Sequence, residues 1–327
     1  MQPIWITWQD HRRSRELASA LNITYQPLLS GTNGLFRYII LALKTIITIM
    51  TKKPDLIFCQ NPSIILTFIL CILKKISYKY KLVVDRHTNF KFGTENSLKP
   101  KWLIFHYLSS FTLRNADLTI VTNEPLAKIV SKKGGTPFVL QDKIPKLINN
   151  NYQPQLKGRI NFLFICTYSN DEPIDNVLHA FTLLPFDYQV YVTGDYNKYN
   201  NYEKFTKYKN INFLGFLPEN DYISYLFSCD ATIVLTTSSM TLNCGSYESV
   251  AAGKLQIVAG SEEIMNYFSK GCEHLTSFDA NSIIKSIKNI EIKLHEGATQ
   301  ELEALKNNMA LDWQRRFIKL KNTLNMQ

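Results

Sequence analysis

The stretch "TTSSMTLNCGSYESVAAGK", residues 236 to 254, decides how this chain is read. It follows "ATIVL" (231–235), an apolar run of the kind that forms a buried strand, and the character then changes abruptly. Hydroxyl side chains crowd the strand end, Gly245 follows, and a helical pattern begins. Gly245–Ser246 is expected to open that helix and to put Glu248 in its first turn. A helix start rich in glycine and hydroxyls offers free backbone N–H groups and a partial positive charge, which suits a phosphate. A carboxylate about 3 Å from a vicinal diol accepts two hydrogen bonds, as a ribose requires. Spacing alone leaves open whether Glu248 binds a ligand or only caps the helix.

Working outward, short apolar strand patterns alternate with longer helical ones. "PIWITW" (3–8), "PDLIFCQ" (54–60), "KLVVDRH" (81–87) and "DLTIVTN" (117–123) read as strands. Helical patterns fall between them at 12–22, 35–50, 63–76 and 101–116, and another follows at 124–134. From 141 to 160, "QDKIPKLINNNYQPQLKGR" has prolines, asparagines and little periodicity, which reads as a linker. The alternation then restarts, with strands at 160–168, 188–194, 211–217, 230–236 and 255–260 and a helical tail from 280. The expected architecture is α/β: two Rossmann-like, doubly wound domains, 1–150 and 151–310, facing a cleft. "LDWQRRFIKL" (311–320) lies in a last helix, 311–327, expected to pack toward the first domain. In open α/β sheets ligands bind outside the carboxyl ends of the strands.

Composition narrows the class. The chain has 327 residues, 45% hydrophobic and 12% aromatic, a globular composition with room for two cores. Its six cysteines are scattered with no C-x-x-C pair, which reads as reduced core thiols of a cytosolic protein. No zinc-ligand spacing occurs; His274 beside Cys272 does not make a site. Through residue 156 there are 21 Lys/Arg against 8 Asp/Glu, and the remainder has 16 against 19. Such asymmetry points the first half toward an anionic partner. No nucleic-acid motif is present. Basic residues adjoining apolar ones, as in "IILTFILCILKKI", fit an anionic membrane surface better. The N-terminal "MQPIWITWQDHRRSRELA" turns polar and basic after eight residues, so no secretory signal is expected. "LFRYIILALKTIITIM" is interrupted by Arg37 and Lys44, and "IILTFILCIL" falls short of the about 20 residues that span a bilayer. A cytoplasmic protein, peripheral at the inner face of the cell membrane, is expected.

The segment from "INFLGFLPENDYISYLF" through "GSYESVAAGKLQIVAG" (211–260) resembles the donor-binding core of GT-B glycosyltransferases. Together with "WQDHRRSRELA", "FCQNPSIIL" and "LVVDRHTNF", the chain is similar to a branch of bacterial surface-polysaccharide (capsule and exopolysaccharide) transferases over most of residues 3–260. The resemblance implies that Glu248 binds the nucleotide ribose and that Gly215, Phe216 and Leu217 border the base. It also implies that Gly194 ends the second strand of the donor domain. Two departures matter. The first glutamate of a pair found in many relatives falls on Met240. The loop "CTYSNDEPID" (166–175) has no Arg or Lys for the diphosphate and is acidic instead. Tyr168 in that loop, Gly245, Ser246, Ser238, Ser239 and Thr241 remain donor candidates, with Arg12 or Arg13 as phosphate contacts.

For the acceptor, "VVDRHTN" ends a strand at the expected cleft edge. Transfer needs a base to take the acceptor proton, and Asp85 or His87 is placed for it; Asp85 is favoured as base and His87 as donor to sugar or phosphate. Asn61–Pro62 is expected to shape the acceptor loop. The activity implied is metal-independent transfer of a sugar from a nucleotide-diphosphate sugar to a lipid-linked or glycan acceptor, with no cofactor. A GT-B-fold nucleotide-sugar epimerase and a non-catalytic nucleotide-sugar-binding subunit are the alternatives.

Overall fold

The computed structural model describes residues 2–326 other than Pro62, Ser77, Thr88, Asn89, Asn150, Asn151 and Ala298. Pro62, expected to shape the acceptor loop, therefore lies outside the described residues. The chain divides into two compact units, Met1–Gln141 with Arg315–Gln327, and Asp142–Gln314.

The first unit runs β1 (Pro3–Thr7), α1 (Arg12–Ala20), β2 (Thr24–Pro27), α2 (Gly34–Lys52), β3 (Leu56–Gln60), α3 (Ile64–Ile76), β4 (Lys81–Asp85), α4 (Pro100–Asn115), β5 (Leu118–Val121), α5 (Glu124–Lys132) and β6 (Pro137–Val139). Its sheet is parallel throughout, in the order β2-β1-β3-β4-β5-β6. The inner strands are uninterrupted apolar runs because helices cover parallel sheets; all five residues of β3 are buried. The core gathers Ile6, Ile57, Cys59, Leu66, Leu70, Leu82 and Val84.

The second unit runs β7 (Ile160–Phe164), α6 (Ile174–Thr182), β8 (Tyr188–Thr193), α7 (Tyr202–Phe205), β9 (Ile211–Gly215), α8 (Glu219–Ser228), β10 (Ala231–Val234), α9 (Cys244–Ala251), β11 (Leu255–Ala259), α10 (Glu262–Tyr267), β12 (Cys272–Leu275), α11 (Ala280–Glu296) and α12 (Thr299–Leu324). Its parallel sheet has the order β12-β11-β10-β7-β8-β9 around a core of Phe162, Phe164, Phe181, Val190, Ile233 and Ile257. From Arg315 onward α12 is grouped with the first unit.

Each sheet has a point where the strand order reverses: β1 beside β3 in the first, β10 beside β7 in the second. Loops leaving two such strands diverge to opposite faces and open a crevice at their carboxyl ends. The loops at 8–11, 165–173 and 235–243, with the start of the loop after β3 at Asn61, are therefore where a ligand is expected.

Candidate functional site

In the second unit the hydroxyls of the opening stretch have a structural explanation. Thr232 and Ser249 share a buried 2.7 Å hydrogen bond, and Ser249 Oγ also donates to the Gly245 carbonyl, so α9 is pinned onto β10. Thr236 Oγ1 donates to Asp171 Oδ2 at 2.6 Å, and the Thr237 amide donates to the Asp171 carbonyl at 2.7 Å. Ser238 and Thr241 are hydrogen-bonded to each other at 2.7 Å. These contacts tie the loop after β10 to the loop after β7 at the switch point.

The acidic loop is knitted by its own carboxylates. Glu172 accepts from the amides of Thr167 (2.9 Å) and Ser169 (2.8 Å), and burial pushes its carboxyl above the usual range. Tyr168 adopts a left-handed backbone at φ 60°, stacks on Tyr199 and buries its hydroxyl. Gly194, at φ 96°, is needed opposite: an added Cβ would lie 2.5 Å from the Cys166 carbonyl oxygen. Tyr168 and Gly194 thus shape the loop from within.

Helix α9 begins at Cys244, so Glu248 lies beyond its first turn, which contains no acid. This corrects its expected place in the first turn. Its Oε2 accepts a 2.5 Å hydrogen bond from the Tyr222 hydroxyl, reaching from α8; burial and this carboxylate push the Tyr222 phenol well above its usual range. Tyr222 went unnoticed in the sequence, where only its position a few residues after "GFLPEN" marks it. Asn243 makes no side-chain cap on α9, so no side chain stands on the first amides from that position. Two other expected donor contacts turn inward. Ser246 is 3% exposed, and Gly245 serves close packing, since a Cβ there would meet Ile165 Cγ2 at 2.9 Å. Ser239 is exposed, and Gly215, Phe216 and Leu217 close β9 at the sheet edge, with the Phe216 ring 86% exposed.

In the first unit four polar side chains converge. Asp85 ends β4 fully buried, and Arg13 Nε lies 3.1 and 3.0 Å from its two oxygens. Another Arg13 nitrogen donates to the Leu140 carbonyl at 2.9 Å. His87 Nδ1 stands 3.4 Å from Asp85 Oδ2, at the outer edge of hydrogen-bond reach, and the His87 ring lies 5.3 Å from that of His11. Although burial alone raises a carboxyl, the Arg13 guanidinium and His87 hold Asp85 well below the ordinary carboxylate range. Neighbouring Arg86 turns away, donating to Ser109 and covering the Phe90 ring.

Two expectations change here. A buried carboxylate held by a guanidinium is a poor proton acceptor, so Asp85 is better suited to orient His87 than to act as base. Arg13 is spent on Asp85 and Leu140 and is not open to a phosphate. Arg12 pairs instead with Glu16 on the surface. Asn61 is buried beside the site; its Oδ1 accepts from Thr67, its amide nitrogen has no partner among the described residues, and Gln60 leaves a second such nitrogen next to it. Gln60 and His11 were missed because nothing in a single sequence separates them from core and loop residues.

Removing Arg13 should expose how this pair is held. Arg13→Met leaves a buried carboxylate unpaired and is expected to cost about 3–5 kcal/mol, read from the urea midpoint. Adding Asp85→Asn should restore part of that loss. Asp85, depressed in the folded state, contributes stability that is full above the unfolded value of about 4 and is lost as pH falls below it. The Arg13→Met deficit should therefore shrink in acid.

Among the described residues no group of three His, Cys, Asp or Glu side chains is placed to hold a metal ion. No curated protein matches the chain in sequence. Residues 176–319 match the family described as "Glycosyl transferase-like". Solved structures align over almost the whole chain at low identity. A sucrose-phosphate synthase from Thermosynechococcus elongatus aligns with TM-score 0.73 and 12% identity over 99% of this chain and 100% of its own. Anabaena HepE in complex with UDP and glucose aligns with TM-score 0.71 and 14% identity over 100% of both chains. A protein described as a UDP-N-acetylglucosamine 2-epimerase from Listeria monocytogenes aligns with TM-score 0.67 and 11% identity over 100% of this chain and 97% of its own. Two parallel six-stranded sheets with flanking helices, shared with these solved structures, give this chain the GT-B fold.

Proposed function

We propose that the chain is a glycosyltransferase that uses a nucleotide-diphosphate sugar, with a UDP-sugar as the first donor to test. The observation that carries the reading is Glu248, held by Tyr222 behind the start of α9, within the segment similar to glycosyl transferases. In this reading Glu248 accepts from the ribose hydroxyls, with the backbone of Gly215–Leu217 beside the base. The first amides of α9 and the hydroxyls of Ser238, Ser239 and Thr241 take the diphosphate. UDP is favoured because it is the nucleotide in the HepE complex.

The first unit supplies the proton acceptor. His87 takes the proton of an acceptor hydroxyl while that oxygen bonds to the anomeric carbon. The bond from that carbon to the diphosphate breaks, and its electron pair leaves on the nucleoside diphosphate. Asp85 steadies the imidazolium that forms, and Arg13 fixes Asp85. A single displacement of this kind inverts the anomeric centre. The charge on the leaving group is met by helix amides and hydroxyls, and the scheme uses no resident metal or cofactor. The acceptor class we propose is a lipid-linked saccharide or growing surface glycan, on the cytoplasmic side of a membrane.

Incubation of the full chain with UDP-glucose and UDP-N-acetylglucosamine, without acceptor, separates the readings. Slow release of UDP is expected from a transferase, because water replaces the acceptor. Conversion to a 2-epimer of the intact nucleotide sugar would favour the epimerase instead, whose fold is shared. Binding without either product would leave a non-catalytic subunit.

A further inference from the structure

Helix α2 is 19 residues long with mean hydropathy 1.6, apolar enough to cross a membrane, yet only 17% of it is buried. Its buried face is a single stripe, Leu41, Thr45 and Ile49. The opposite stripe, Phe36, Ile39, Leu43, Ile47 and Met50, faces outward, with Phe36 74% exposed. An exposed contiguous apolar face of this length marks an interaction surface. It is continuous with more of the same kind, because α2 packs on α3 and α3 on α4, whose Leu103, Ile104 and Tyr107 are also exposed.

Charge identifies the partner. The three helices carry seven Lys/Arg (Arg37, Lys44, Lys52, Lys74, Lys75, Lys101, Arg114) and no carboxylate. Lys74 pairs with Asp117; among the described residues the other six face no carboxylate at ion-pair distance. A hollow of about 340 Å³ is lined by Lys75 and Arg114 with Tyr107, Ser110, Phe111 and Asn115. Cations around an apolar stripe, with acids absent, suit a surface that is apolar below and anionic at its rim, as a bilayer of acidic phospholipids is.

We infer that the α2–α3–α4 layer lies on an anionic lipid bilayer, with the outward stripe of α2 sunk flat into the headgroup region and the hollow beside Lys75 and Arg114 receiving a lipid phosphate. Helix α2 lies in the interface and does not cross. The Trp8 indole donates to Thr45 Oγ1 at 3.0 Å, Arg37 donates to the Trp8 carbonyl, and Lys44 donates to the Leu29 carbonyl at 2.8 Å. These bonds, with Leu41 and Ile49 in the core, hold the helix on its own sheet. The inference extends the transfer reading, since it brings the first unit to where a lipid-linked acceptor would be.

The test is co-sedimentation of the full chain with phosphatidylcholine vesicles, with and without phosphatidylglycerol. No donor is present, so this result and the transfer reading fail separately. Binding is expected only with phosphatidylglycerol, released by high salt and by alkaline carbonate. Leu43→Asp with Ile47→Asp, both at exposed positions, should weaken it by about 10–100-fold, and Lys75→Ala with Arg114→Ala by about 10-fold or more. Unchanged circular dichroism in each variant would confirm that folding is intact. Absence of vesicle binding, indifference to the Asp pair, or resistance to carbonate would each overturn the inference. So would a dimer in solution that the Asp pair dissociates, since a second copy would then cover the face.

Discussion

Replacing His87 by alanine is expected to lower kcat about 10²–10⁴-fold while leaving nucleotide affinity within a factor of two or so, the range for loss of a positioned general base. The prediction follows from the division of labour around Asp85. Its two oxygens are committed to Arg13, and its affinity for a proton is suppressed by that same guanidinium. In the proposed scheme Asp85, 3.4 Å from His87 Nδ1, orients the ring, and Nε2 takes the acceptor proton. Asp85→Asn should also lower kcat, but with a loss of stability that His87→Ala does not share, since only the former leaves Arg13 facing a neutral amide. Measured kcat and urea midpoints of the two variants decide the assignment. A His87→Ala enzyme with near-normal turnover would return the base to Asp85 or place it elsewhere.

Replacing Glu248 gives the second large effect. Glu248→Ala is expected to weaken UDP binding by about 10–150-fold, the worth of charged hydrogen bonds at about 1.5–3 kcal/mol. Glu248→Gln is the sharper variant. Its amide oxygen can still accept from Tyr222, so the tie between α8 and α9 survives while the charge is lost. Affinity should fall in Glu248→Gln with little change in melting temperature. Tyr222→Phe should lower affinity more modestly, because it frees the carboxylate without removing it. If both Glu248 variants bound UDP as the parent does, the ribose would have to be held by another group.

The alternation of buried strands and helices was legible from residue 3 to 260, because parallel strands covered on both faces must be apolar along their length. The strands that escaped reading are β2, β6 and β12, and each lies at an edge of its sheet. Edge strands have an unpaired side and tolerate what inner strands do not: Pro27 in β2, Pro137 and only three residues in β6, and Glu273 with His274 in β12. Candidate residues can be picked from the sequence where residue type and local spacing suffice. Glu248, Asp85 and His87 were picked from strand ends and helix starts. What spacing could not give was pairing across distance. Arg13 lies 72 positions from Asp85, and Tyr222 lies 26 from Glu248. Their partners bear on the roles proposed for three residues: Arg13 is bonded to Asp85 and Leu140, Asp85 is proposed to orient His87, and Glu248 is a carboxylate held by a phenol. The acidic loop after β7 likewise read as a missing phosphate site, whereas Glu172 and Asp171 spend their charge on that loop's own amides and on Thr236.

Calorimetric titration of the full chain with UDP, GDP, CDP and TDP tests most directly whether the second unit grips a nucleoside diphosphate. Saturable binding of UDP at one site per chain is expected, weakened about 10–150-fold in Glu248→Ala. No measurable heat from any of the four at millimolar concentration, with the protein folded, would contradict it.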